Sequence, residues 1–179
     1  MALRIVSADE RLSAKQKVSL ALFGGAGVGK TTQAQTLNPD TTLFIDLEAG
    51  TLALGQWKGD VIDVHAESSR MGIHPWDFSR GLACWIGGAD PAETEGPYCQ
   101  ASFDTYCEVL GDPKMLEKYD TIFIDSITVA SRHSFSWAEK QPEAFSEKTG
   151  KPDIRGAYGL HGREMIKWLT SLQHQPKSV

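Results

Sequence analysis

Four short apolar runs, bounded by glycine, proline or charged positions, set the pattern of this chain: residues 18–23, 41–46, 61–65 and 121–125. They are rich in leucine, isoleucine, valine, threonine and phenylalanine, the residues of a pleated, buried surface, and read as strands. Each run is nearly continuous rather than alternating, as expected for strands covered on both faces. Helical spacing fills the intervals between them. The predicted fold class is therefore α/β, a mostly parallel sheet with helices on both faces.

The helical signals are local and specific. Ser7-Ala8-Asp9-Glu10 fits a capping box and predicts a short helix over 8–16. A helix from Thr31 to Leu37 is stopped by Asn38-Pro39-Asp40. Residues 75–86 form a helix ending at Gly87-Gly88, and residues 100–110 form another, with Phe103, Cys107 and Leu110 on one face and Gly111 as its stop. Helices are predicted over 126–140, through Ile127, Ala130, Ser134 and Trp137, and over 157–173, through Met165, Trp168, Leu169 and Leu172. Residues 66–119 hold no strong strand but many aromatics, among them Trp76, Phe78, Trp85, Tyr98 and Tyr106. Two readings of these stand open: a helical hairpin packing its rings on the sheet, or a surface that stacks bases or meets a partner.

The stretch after the first run changes the picture. Gly24-Gly25-Ala26-Gly27-Val28-Gly29-Lys30-Thr31-Thr32 satisfies the phosphate-loop pattern, Gly, four residues, then Gly-Lys-Ser/Thr. A strand feeding a glycine-rich turn at a helix start leaves backbone N–H groups aimed into one concavity, which takes a phosphate. Lys30 is placed to reach the β- and γ-phosphates and the Thr31 hydroxyl to ligate Mg²⁺. This implies ATP or a similar nucleotide as ligand. Residues 1–17 are then an N-terminal extension and 18–179 a nucleotide-binding domain, with 66–119 as a helical, aromatic-rich insertion.

Two acidic positions add chemistry. Asp125 ends the run Ile122-Phe123-Ile124, where a strand-tip carboxylate would sit beside the phosphate loop and hold Mg²⁺. Glu48 lies just past the run that ends at Asp46, where a carboxylate can orient and deprotonate an attacking water. Asp46 competes for that role; its other reading is a strand-end carboxylate capping backbone donors.

Composition narrows the setting. With 179 residues, 41% hydrophobic and 23% charged, the chain suits one sizeable core. A net charge of −5 announces no global field for nucleic acid, although a local basic loop can still bind phosphates. Cys84, Cys99 and Cys107 make no disulfide framework. Their spacing with His74 matches no common zinc pattern, and buried thiols are the expectation. No signal-peptide stretch or membrane span is evident, so the expected setting is cytoplasmic.

Phe44-Ile45-Asp46-Leu47-Glu48-Ala49 resembles the segment carrying the catalytic glutamate in RecA-type recombinases. The stretch from Phe123 to Ala130 resembles their Walker B strand and the start of the next helix, and Gly159 to Leu172 the helix before their switch-carrying strand. The chain is thus similar to phage-type P-loop proteins of the RecA-like group, which includes single-strand annealing ATPases. That resemblance implies a three-layer P-loop NTPase fold, ATP and Mg²⁺ as cofactors, Lys30 and Glu48 in catalysis, Thr31 and Asp125 at the metal, and Ser126 as a supporting polar contact. It also implies single-stranded DNA as partner, with Lys148, Lys151 and Arg155 in a first DNA-contacting loop, and a homo-oligomer as one assembly. Residues 141–155 also carry Glu143, Glu147 and Asp153, so a solvated surface loop is the competing reading.

The resemblance also implies a further core strand beyond Val179, and the expectation is a core truncated at its C-terminus. Two alternatives remain. Gly-Lys-Thr-Thr-Gln-Ala resembles the phosphate loops of nucleoside monophosphate kinases, although no Asp-Arg pair occurs here. The third reading is a nucleotide-gated DNA-binding or assembly module without turnover.

Overall fold

The computed structural model describes residues 5–13 and 18–173. Its sheet has three strands, β1 (Thr42–Asp46), β2 (Asp60–Asp63) and β3 (Thr121–Asp125), in the order β2-β1-β3 and parallel throughout. The α/β class and the parallel sheet therefore stand. β1 is the central strand, and all five of its residues are buried, which is why its sequence is apolar without alternation.

Alternation along β1 divides its side chains between two faces. Leu43 and Ile45 join Ile122 on one face, beneath helices α3 (Pro75–Gly87), α5 (Ile127–Ala138) and α6 (Ile154–Gln173). There Trp76, Phe78, Leu82, Trp85, Val129, Trp168 and Leu172 close the main core. Phe44 and Phe123, partners in register, stack at 5.2 Å on the other face. Ala34, Leu54 and Trp57 cover them, carried by two 3₁₀ turns, Thr31–Thr36 and Thr51–Leu54, and the segment that follows.

α3 is buried almost all round, so its tryptophans find specific partners for their polar edges. Trp76 Nε1 donates to Glu164 at 3.1 Å, and Trp85 Nε1 donates to the Gly111 carbonyl at 2.8 Å. From α6, Trp168 Nε1 donates to the Ser79 carbonyl at 3.1 Å. Helix α4 (Gln100–Leu110) lies close on α3 because position 81 is glycine. A Cβ there would stand 1.7 Å from the Tyr106 ring. Trp76, Phe78, Trp85 and Tyr98 are thus core residues, which settles the aromatic question for them in favour of packing. Cys84 and Cys99 are buried thiols and Cys107 is half-buried; no group of histidine, cysteine and carboxylates fit to hold a metal occurs among the described residues.

The capping box forms as expected: the Glu10 amide donates to Ser7 Oγ at 3.1 Å and the Ser7 amide to Glu10 Oε2 at 3.0 Å, opening α1 (Ala8–Ser13). The predicted continuation over 14–16 lies outside the described residues. β2 ends two residues before the predicted strand does, because Asp63 accepts the Ala66 amide and opens α2 (Val64–Met71), a helix the sequence reading did not place. α6 begins earlier than predicted because Asp153 precedes it as a cap, accepting the Arg155 amide at 3.0 Å.

Two expectations are corrected. Residues 18–23 are not a strand of the sheet; they are irregular, with Leu20 71% and Phe23 91% exposed. Strand propensity needs a ladder to act on, and β1 takes its neighbours from β2 and β3 instead. The helix predicted from Thr31 is a single short 3₁₀ segment. Three β-branched threonines and the stop at Asn38-Pro39 leave too little length to nucleate an α-helix.

Candidate nucleotide site

The phosphate loop itself is glycine-shaped. Gly27 and Gly29 take φ of +74° and +89°, left-handed values that a side chain disfavours. Lys30 closes the loop on itself, its Nζ donating to the carbonyls of Gly24 at 3.0 Å and Gly25 at 2.8 Å. Ala26, Val28 and Thr32 complete the turn, all exposed.

Thr31 makes the contact that ties this loop to the sheet. Its Oγ1 donates to Asp125 Oδ2 at 2.7 Å, across 94 residues of sequence. Asp125 stands at the end of β3, only 4% exposed, with Ser126 behind it as the N-cap of α5, accepting the Val129 amide. So Ser126 opens α5. Beside Asp125, in register on β1, is Asp46. Asp46 Oδ1 accepts the amides of Glu48 at 2.9 Å and Gly50 at 3.2 Å, the capping arrangement weighed for it from sequence. The Leu47 amide donates to the Asp125 carbonyl at 2.7 Å, joining the two strand ends. Between the clamped amides, Ala49 adopts φ +56°. A left-handed alanine costs about 1–2 kcal/mol, and such strain is held where a loop is over-determined. Glu48, at the tip of this turn, is exposed.

The donor set suits Mg²⁺. A hydroxyl and a carboxylate are hard oxygen ligands, and Mg²⁺ keeps several waters and nucleotide oxygens rather than requiring an all-protein cage.

The basic loop lies elsewhere. α5 rises about 18 Å over its twelve residues from Ser126, and residues 141–153 follow its far end. The loop is a closed turn: Phe145 bridges Pro152, and the Ser146 amide donates to the Lys151 carbonyl at 2.8 Å. Lys148 and Arg155 line an open cleft of about 730 Å³, and Lys151 does not. Arg163 joins them, a residue the sequence reading did not assign to this group. Its position eight residues after Arg155 on one helix was the available signal. Glu143, Glu147 and Asp153 share the walls, so the cleft is mixed in charge.

A phosphate loop, a strand-tip aspartate hydrogen-bonded to its threonine, and a parallel sheet beneath define a P-loop nucleotide-binding ATPase fold. The chain belongs to the AAA domain family, whose model matches residues 16–179. No curated protein and no solved structure matches it. Membership implies nucleotide and, as a rule, Mg²⁺. No helix among the described residues is long and apolar enough to cross a membrane.

Proposed function

We propose that this chain is a Mg²⁺-dependent ATPase of RecA type that acts on single-stranded DNA in phage recombination or replication. The observation that carries the ATPase reading is the Thr31–Asp125 hydrogen bond, which brings the phosphate loop to the strand-end carboxylate with Glu48 one strand away. Lys30 exchanges the Gly24 and Gly25 carbonyls for β- and γ-phosphate oxygens, while loop amides cradle the phosphates. Thr31 and Asp125 would hold Mg²⁺, which would neutralise charge on the phosphate oxygens. Glu48 orients the attacking water and accepts its proton as the water oxygen bonds to the γ-phosphorus and the bond to the β–γ bridging oxygen breaks, releasing ADP.

The DNA half of this reading rests on the resemblance of residues 44–49 and 123–130 to RecA-type proteins. Lys148, Lys151 and Arg155, joined by Arg163, are the cations we assign to DNA phosphates; Lys148, Arg155 and Arg163 line the cleft. α5, which starts at Ser126 beside Asp125, would link that cleft to the nucleotide.

Phosphate release with and without single-stranded DNA tests it. DNA-stimulated release is the expected result. Phosphoryl transfer to an added nucleoside monophosphate would replace this reading with a kinase, and binding without turnover with a nucleotide-gated module.

A further inference from the structure

In the proposed hydrolysis site Asp125 and Glu48 act directly while Asp46 caps the turn that carries Glu48, and one oxygen accounts for that role. Asp46 is completely buried at the end of the central strand. Its Oδ1 takes both the Glu48 and Gly50 amides. Its Oδ2 is enclosed and accepts no hydrogen bond from any described residue. A buried carboxylate oxygen without a donor is costly, and a strand-end cap does not require one: asparagine could clamp the same two amides without carrying a charge.

The surroundings say what the second oxygen faces. Asp46 and Asp125 are register partners on adjacent parallel strands, so their side chains leave the sheet on the same side. That is the face on which Phe44 and Phe123 stack and which the segment after the phosphate loop covers. Gly50 spans the two carboxylates: its amide bonds Asp46, and a Cβ on it would lie 3.6 Å from Asp125 Oδ2. The Asp46 carboxylate is therefore adjacent to the Thr31–Asp125 pair that fits Mg²⁺.

We propose that Asp46 is a positioning residue with two jobs. Oδ1 clamps the Glu48 and Gly50 amides and so aims Glu48; Oδ2 accepts a hydrogen bond from a water in the Mg²⁺ shell beside Asp125. The turn that carries the base and the metal that holds the phosphates are thereby referred to one buried carboxylate. Supporting carboxylates of this kind are worth roughly 10- to 100-fold in metal affinity or activity. This role presupposes the ATPase reading above, but its metal half has its own readout.

The experiment is Asp46→Asn in the full chain. Asparagine keeps an acceptor for the two amides and turns a donor toward the metal's water. Mn²⁺ serves as the probe, titrated by electron paramagnetic resonance with a non-hydrolysable ATP analogue present. The expected result is Mn²⁺ affinity lowered roughly 10- to 100-fold, with kcat reduced. Glu48→Gln, run alongside, should lose turnover while keeping Mn²⁺ affinity. Wild-type Mn²⁺ affinity in a folded Asp46→Asn variant would overturn the proposal and leave Asp46 a cap. If the asparagine variant does not fold, Asp46→Ser, which retains an acceptor, takes the same titration under the same criterion. Absence of phosphate release from the wild type would sink the ATPase reading alone, because the Mn²⁺ titration does not depend on turnover.

Discussion

The two faces of the sheet are built to different standards. Beneath α3, α5 and α6, side chains from every helix interlock with Leu43, Ile45 and Ile122, and the buried tryptophan N–H groups are hydrogen-bonded. On the opposite face Phe44 and Phe123 are covered by little more than Ala34, Leu54 and Trp57 on short 3₁₀ segments. The candidate nucleotide chemistry lies on this thinner side. So do its irregularities: the left-handed Ala49, the phosphate-loop glycines and the unpartnered Asp46 oxygen. The thick face supplies the stability that lets the thin face keep strained and unsatisfied groups, a division expected where function is placed.

That contrast can be broken from either side. Trp76→Ala should have the largest effect, about 3–5 kcal/mol of unfolding free energy, since it empties the fully buried centre of the thick face. Urea denaturation would read it, and a loss under about 1 kcal/mol would mean this face does not carry the fold. Glu48→Gln should cut kcat by roughly 10²–10⁴ with nucleotide binding retained. Parallel loss of both would move the base to another residue. Lys30→Ala should weaken nucleotide binding about a hundredfold, by removing charge-assisted hydrogen bonds to phosphate. Its melting temperature should barely change, because among the described residues the Lys30 side chain bonds only to its own loop. Calorimetric titration and thermal melting together check both halves.

The smallest effect is on pH, and it belongs to the thick side. Burial first, then the neighbouring His65 and His74, pushes the His133 pKa down to about 4, and burial lowers His74 and His161 too. The unfolded chain therefore binds more protons than the native one between the ordinary histidine value near 6.5 and about 4. Stability should be full above that window and fall as pH drops through it. Melting temperatures from pH 7.5 to 4.5 would show the slope, and His133→Gln should flatten it.

Much of this was legible in the sequence for local reasons. β3 falls where its β-branched run ends, and α4 where Gly111 stops it, because strand composition and glycine stops act within a few residues. The Ser7–Glu10 capping box is reciprocal and nearest-neighbour, so it forms as written. Residues 18–23 show where such reasoning stops: their apolar pattern is as strong as that of β1, yet a strand exists only with a partner. Arg163 came to light only when α6 placed it in the cleft with Arg155.

By itself, then, the sequence determined the phosphate-loop motif and the parallel α/β class, since each depends on residue type and short spacing. Tertiary structure alone decided which groups meet. Thr31 reaches Asp125 because the sheet folds 94 residues back on themselves, and Asp46 acquires its buried neighbour because β1 and β3 pair in that one register. Register and crossover set those distances, and both are fixed by packing across the whole core rather than by the residues that profit from it.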